Sequence, residues 1–146
     1  MLGGNGITAE LATAAFEACR SSELIARLET SEAKWSEVLD GQMEVKGHLH
    51  RYRFPHQKAR YLAGAMAFLQ THSLSTRSGK ELRDSLLKVK GIGPKTAGWI
   101  ARNYLDTDEV AILDVHLVRA GLLCDLFSPS QRVPRHYFAM EARYID

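Results

Sequence analysis

An all-α fold is predicted for this chain, and three features predict it. Apolar residues recur at helical spacing in one segment after another, most of these segments open on a capping residue or a proline, and no stretch shows sustained strand-like alternation. The 146 residues, 45% of them hydrophobic, suffice for one domain with a real core and are too few for two ordinary ones. Residues 1–146 are therefore expected to form a single compact helical domain.

Thr8 can cap a first helix running through about Cys19, Ser22 a second through Leu28, and Ser31 a third ending at Gly41. Residues 42–53, Gln-Met-Glu-Val-Lys-Gly-His-Leu-His-Arg-Tyr-Arg, break the period and read as a loop. Pro55, at a first helical position, then opens a long helix whose apolar stripe is Tyr61, Leu62, Ala65, Phe68 and Leu69. Ser73 to Gly79 is a polar connector, followed by a helix from Glu81 to Lys88 with Leu82, Leu86 and Val89 on one side.

That helix runs directly into Gly91-Ile92-Gly93. Pro94 starts the next helix, which carries Ala97, Ile100, Ala101 and Tyr104 and ends at the charged turn Asp106 to Glu109. Val110 to Leu113 is a short apolar link, Asp114 is suited to cap a helix through Leu123, and Pro134 opens a terminal helix with Tyr137, Phe138, Met140 and Tyr144. There is no internal repeat and no low-complexity tract.

Composition narrows the function classes. No apolar run approaches the roughly 20 residues that span a bilayer, and the N-terminus lacks the order of a secretory signal, so a soluble intracellular protein of the cytoplasm or nucleoid is expected. Cys19 and Cys124 lie far apart in apolar helical patterns without ligand spacing. They read as two buried reduced thiols, and a four-cysteine iron–sulfur cluster is excluded. The six histidines are scattered, and neither metal nor cofactor is expected. The formal charge of +2 is unevenly placed: residues 1–50 hold four Lys/Arg against eight Asp/Glu, a net −4, whereas residues 51–146 hold fifteen against nine, a net +6. The basic part is where a polyanion would bind.

The chemistry concentrates at residues 86–97, Leu-Leu-Lys-Val-Lys-Gly-Ile-Gly-Pro-Lys-Thr-Ala. Two helices joined through Lys90-Gly91-Ile92-Gly93-Pro94 make a tight turn in which glycine permits backbone angles closed to other residues and Ile92 can anchor the turn in the core. The N-terminal amides and dipole of the second helix form an anion site, and a phosphate can approach closely where glycine replaces bulk. Such a turn grips a sugar-phosphate backbone without reading sequence. Alone, this helix-hairpin-helix signature indicates DNA binding, and glycine turns between helices also occur in proteins that bind no DNA.

Lys95 sharpens the reading. It stands in the first turn of the second helix, where the positive end of the dipole disfavours an ammonium and favours the neutral, nucleophilic amine. Nineteen residues on, Ala-Ile-Leu-Asp-Val-His (111–116) places the Asp114 carboxylate at the end of an apolar link expected to be buried beside the hairpin. An isolated aspartate there would simply be a cap; paired with Lys95 it is a candidate catalytic partner.

On these residues the chain resembles the helix-hairpin-helix DNA glycosylases (HhH-GPD), most closely their compact 8-oxoguanine DNA glycosylase/AP lyase branch. The match runs through Gly91, Gly93, Lys95, Ala97, Asp114 and His116, including the nineteen-residue interval. A second block, Tyr52-Arg53-Phe54 followed by Lys58-Ala59-x-Tyr61-Leu62, is similar to the segment before the hairpin in that branch, and Asn5-Gly6-Ile7-Thr8-Ala9 resembles a segment near its start. The likeness is specific over residues 86–119. Two departures stand out: the chain looks shortened at the N-terminus relative to the branch, and Trp99 stands one turn after the lysine, where a smaller side chain often faces the base pocket.

The resemblance implies a bifunctional enzyme that excises an oxidised purine, 8-oxoguanine foremost, from double-stranded DNA and acts as a monomer. It implies that Lys95 attacks the sugar to form a Schiff base leading to strand cleavage, while Asp114 stabilises positive charge and assists proton transfer. Such an enzyme must extrude its target nucleotide, so it needs a pocket, a wedge and a grip on phosphates. Lys90, Gly91, Ile92, Gly93, Thr96 and His116 are the expected grip, with Arg53, His56, Gln57 and Lys58 as further DNA contacts and Arg51 and Arg60 beside them. Phe54, Pro55, His56 and Gln57 are candidates to enter the vacated stack, and Asn5 and Trp99 to line the base pocket. Three other readings stay open: a glycosylase for another modified base, a non-catalytic DNA-binding module in which Lys95 contacts phosphate, and a purely structural helical module.

Overall fold

The computed structural model describes residues 1–4 and 6–145. The chain divides into two compact units, Met1–Ser73 with Val89–Gly91, and Leu74–Lys88 with Ile92–Asp146. Both are predominantly helical, in line with the all-α expectation.

The first unit contains α1 (Ala9–Ser21), α2 (Glu32–Asp40), the strands β1 (Gln42–Val45) and β2 (His48–Arg51), and α3 (Pro55–Thr71). The Thr8 side chain accepts from the Leu11 amide at the start of α1, and Pro55 occupies the first turn of α3 as expected. Ser31 holds the N-cap position of α2 without a side-chain cap bond. The core packs Cys19, Trp35, Leu39, Met43, Ala59 and Leu62 together, with the Trp35 indole donating to the Glu29 carbonyl at 2.7 Å.

Three expectations need correction here. Residues 22–28 form a series of turns, because Glu23 and Leu28 adopt positive φ (61° and 48°) and interrupt any helical ladder. The supposed loop of residues 42–53 contains an antiparallel hairpin in the register Gln42↔Arg51, Met43↔His50, Glu44↔Leu49 and Val45↔His48, closed by Lys46-Gly47. On α3 the buried face is Ala59, Leu62, Ala63, Ala65 and Met66, so Leu69 lies outside it.

The second unit contains α4 (Gly79–Leu86), α5 (Pro94–Leu105), α6 (Val115–Leu123) and α7 (Tyr137–Ile145). Ser78 caps α4 by accepting from the Glu81 amide, which starts that helix two residues before the expected Glu81. One apolar cluster joins Leu82 and Leu86 of α4 to Ala97 and Ala101 of α5 and to Val110; a second joins Ala111, Leu113, Phe127, Tyr137 and Met140. Tyr104, expected on the apolar stripe of α5, is 72% exposed.

Pro134 does not open the last helix. Residues 133–136 form turns in which the His136 amide donates to the Arg132 carbonyl and the Arg132 amide to His136 Nδ1, and α7 begins three residues later. Cys19 is buried as expected, but Cys124 is exposed: it stands at the C-cap of α6, beyond the turn that packs inward. Among the described residues no helix is long and apolar enough to cross a membrane.

Candidate active site

The turn before α5 shows why its glycines are there. Gly91 sits at φ +92°, and a Cβ added to it would come within 2.6 Å of the Tyr61 ring, so both conformation and space require glycine. Ile92 is half-buried against the cluster containing Leu82 and Leu86, which anchors the turn in the core. Gly93 is the N-cap of α5 and has open space beside it. Pro94 follows, and the first intrahelical bond runs from the Ala97 amide to the Gly93 carbonyl. The Lys95 and Thr96 amides therefore have no intrahelical acceptor and remain available to an anion.

Lys95 is exposed in the first turn of α5, and among the described residues no carboxylate lies within ion-pairing distance of its ammonium. Asp114 is the N-cap of α6. Its Oδ1 accepts from the Leu117 amide at 2.8 Å and from the His116 amide at 2.9 Å, leaving Oδ2 free of protein donors among the described residues. These bonds hold the carboxyl below its ordinary value; the Leu117 amide is the largest cause, partial desolvation opposes it, and the charges of His116 and Lys95 add to the lowering. A lysine outside any ion pair among the described residues and a carboxylate with one unengaged oxygen are thus within electrostatic reach of each other in one unit. His116, exposed in the first turn of α6, shares this surface. Trp99 is 56% exposed one turn beyond Lys95, so it is not a core residue.

The link before Asp114 is held in a way the sequence reading missed. Val110, Ala111 and Leu113 are buried as expected; the Val110 carbonyl accepts from Arg102 of α5 at 3.2 Å, and the backbone of Ala111 and Leu113 is bonded by side chains of α7. The Ala111 amide donates to Glu141 Oε1 at 3.1 Å, and the Leu113 amide to the Tyr137 hydroxyl at 3.1 Å. That hydroxyl in turn donates to the Ala111 carbonyl at 3.0 Å. Glu141 is 3% exposed and paired with buried Arg83, whose guanidinium stacks on Phe138 at 5.0 Å. The signal in the sequence was a lone glutamate four residues after a tyrosine, on the buried face of an amphipathic helix.

The expected contacts of the first unit are variously occupied. Lys58 donates to the carbonyls of Met1 and Gly3 at 2.7 and 2.9 Å, and burial lowers its pKa. His56 lies 3.4 Å from the Ser36 hydroxyl and 3.7 Å from Asp40, and Arg60 pairs with Glu32 at 3.4 Å. The Arg53 guanidinium stacks over Phe54 at 5.0 Å and packs against Gly6. Gln57, Arg51 and Lys90 are exposed. Asn5 lies outside the described residues. Among the described residues no group of three His, Cys, Asp or Glu side chains is placed to hold a metal ion.

A family model described as 8-oxoguanine DNA glycosylase matches residues 7–146. The chain is also similar to an 8-oxoguanine DNA glycosylase/AP lyase of Metallosphaera sedula, 38% identical over 74 residues. Those residues are 47% of this chain and 35% of that protein, so the match spans about a third of the relative's length. No solved structure matches. With the family match covering nearly the whole chain, this protein belongs to the helix-hairpin-helix 8-oxoguanine DNA glycosylase family.

Proposed function

We propose that the chain is a bifunctional DNA glycosylase/AP lyase that removes an oxidised purine, 8-oxoguanine foremost, from double-stranded DNA. The observation that supports this reading is that Lys95 in the first turn of α5 lies within electrostatic reach of Asp114 at the N-cap of α6, the lysine outside any ion pair among the described residues and the carboxylate offering a free oxygen. A lysine serving only as a phosphate contact would not need a carboxylate that competes for its charge.

In the proposed reaction the neutral Lys95 amine bonds to C1′ of the extruded nucleotide as the C1′–N9 bond breaks, its electron pair leaving with the base, which takes up a proton. Loss of one proton from the new C–N nitrogen, then opening of the C1′–O4′ bond with a proton taken up at O4′, gives the protonated Schiff base. Removal of a C2′ proton then expels the 3′ phosphate. Asp114 Oδ2 faces positive charge as it develops on the sugar and accepts and returns the protons. The Lys95 and Thr96 amides, with Lys90 and His116, hold flanking phosphates.

Borohydride reduction on a duplex with an abasic site tests the nucleophile: a covalent adduct is expected from the native protein and none from Lys95→Gln. No adduct from the native protein would leave a DNA-gripping module. A second reading keeps this chemistry and changes the base. Exposed Trp99 favours it, because a large ring one helical turn from Lys95 would restrict the shapes a base pocket there accepts. Excision from a panel of modified duplexes separates the two readings.

A further inference from the structure

We infer that Tyr137 is a positioning residue for Asp114, acting through the Val110–Leu113 link; this rests on the reading of Asp114 given above. The link has no regular secondary structure, so its buried backbone groups need partners from elsewhere. The Tyr137 hydroxyl serves two of them at once, accepting from the Leu113 amide and donating to the Ala111 carbonyl. Leu113 directly precedes Asp114, so the bond fixes the Ile112–Leu113 peptide, the last one before the peptide that enters Asp114.

Among the described residues the hydroxyl has no other hydrogen-bond partner. Tyr137 is 1% exposed, so it touches no substrate, and phenylalanine would fill nearly the same space among Ala111, Leu113, Phe127 and Met140. Glu141, one turn on, secures the Ala111 amide, and its charge is met by Arg83.

The Ala111 carbonyl that accepts from the Tyr137 hydroxyl is also the reference for the nucleophile's helix. Gly98, three residues after Lys95, lies so close to it that an added Cβ would stand 2.9 Å from the Ala111 carbonyl oxygen. A single backbone carbonyl thus contacts α5 on one side and is held by α7 on the other, which ties the Lys95–Asp114 spacing to the Tyr137 hydroxyl.

The test is strand cleavage at an abasic site with enzyme in excess, a reading independent of the preferred base, for the native protein, Tyr137→Phe, Asp114→Asn and the double variant. Tyr137→Phe is expected to slow cleavage about tenfold, since small misplacements of reacting groups are costly, with duplex affinity unchanged within about twofold. In the Asp114→Asn background the same substitution should change the rate by less than about twofold, because its effect passes through the carboxylate. An unchanged rate for Tyr137→Phe, or equal slowing in both backgrounds, would overturn the inference. If Tyr137→Phe does not fold, Gly98→Ala takes its place in the cycle, with slowing lost in Asp114→Asn expected and additive or absent slowing overturning. Lack of a borohydride adduct from the native protein would instead sink the reading of the site itself, and the inference with it.

Discussion

Asp114 does two jobs that a pair of substitutions separates. As N-cap it satisfies two amides of α6, and in the proposed reaction its carboxylate works with Lys95. Asparagine keeps the capping oxygen and loses the charge, whereas alanine loses both. Asp114→Ala is therefore expected to melt about 4 °C lower than the native protein, and Asp114→Asn close to it, while both lose about a hundredfold or more in single-turnover cleavage. Melting that tracks the loss of activity in both variants would assign the residue to structure alone. The pH dependence follows in sign from the lowered carboxyl. The cap's charged contribution is fully present above the ordinary value of 3.8 and disappears as pH falls through the lower folded value. The difference in melting temperature between native protein and Asp114→Ala should hold from pH 7 to about pH 5 and shrink only below the ordinary aspartate range. This much was legible from local chemistry: Thr8, Pro55, Pro94 and Asp114 each stand where a capping or first-turn residue is expected. Cys124 was not, since an apolar helical pattern does not reveal which turn of a helix overhangs the core.

At the scale of elements, period and punctuation located the seven helices of the described residues, and failed where exposure or backbone angle decided. The β1–β2 hairpin went unseen because each strand has four residues and all of β2 is exposed, so no apolar face is printed in the sequence. The helix expected at residues 22–28 is lost to positive φ at a glutamate and a leucine, residue types that give no warning. The turn before α5 was read correctly because glycine there is obligatory. Gly91→Ala tests that obligation: with φ at +92° and the Tyr61 ring in the way, it should cost about 1–3 kcal/mol in denaturant unfolding and weaken duplex binding. Native stability in this variant would mean that the turn relaxes freely and that its glycine answers to the ligand alone. The α7 clamp was illegible for another reason. Tyr137 read as one more apolar residue in a stripe, and the partners of its hydroxyl are backbone groups 24 and 26 residues away, which no periodicity encodes.

For the whole molecule, the charge imbalance between residues 1–50 and 51–146 suggested a broad basic surface, and the structure redistributes it. Arg77 and Arg83 are paired with Glu81 and Glu141 of the same segment, Arg60 with Glu32 outside it, and Lys58 is held by two carbonyls, so several cations of the basic part are already engaged within the protein. Arg51, Lys90 and Lys95 are exposed and, among the described residues, outside any ion pair. Counterion release makes this distinction measurable, because each phosphate neutralised adds about 0.9 to the slope of log affinity against log salt. Lys90→Ala and Arg51→Ala should each lower that slope by about one on undamaged duplex DNA. Arg60→Ala, which removes an ion already balanced by Glu32, should leave the slope within error. Lys58→Ala should also leave the slope unchanged while lowering the melting temperature, since its carbonyl partners would lose their donor. A slope that falls for Arg60 and Lys58 and not for Lys90 would place the duplex along α3 instead, and would return those residues to the role their basic character first suggested.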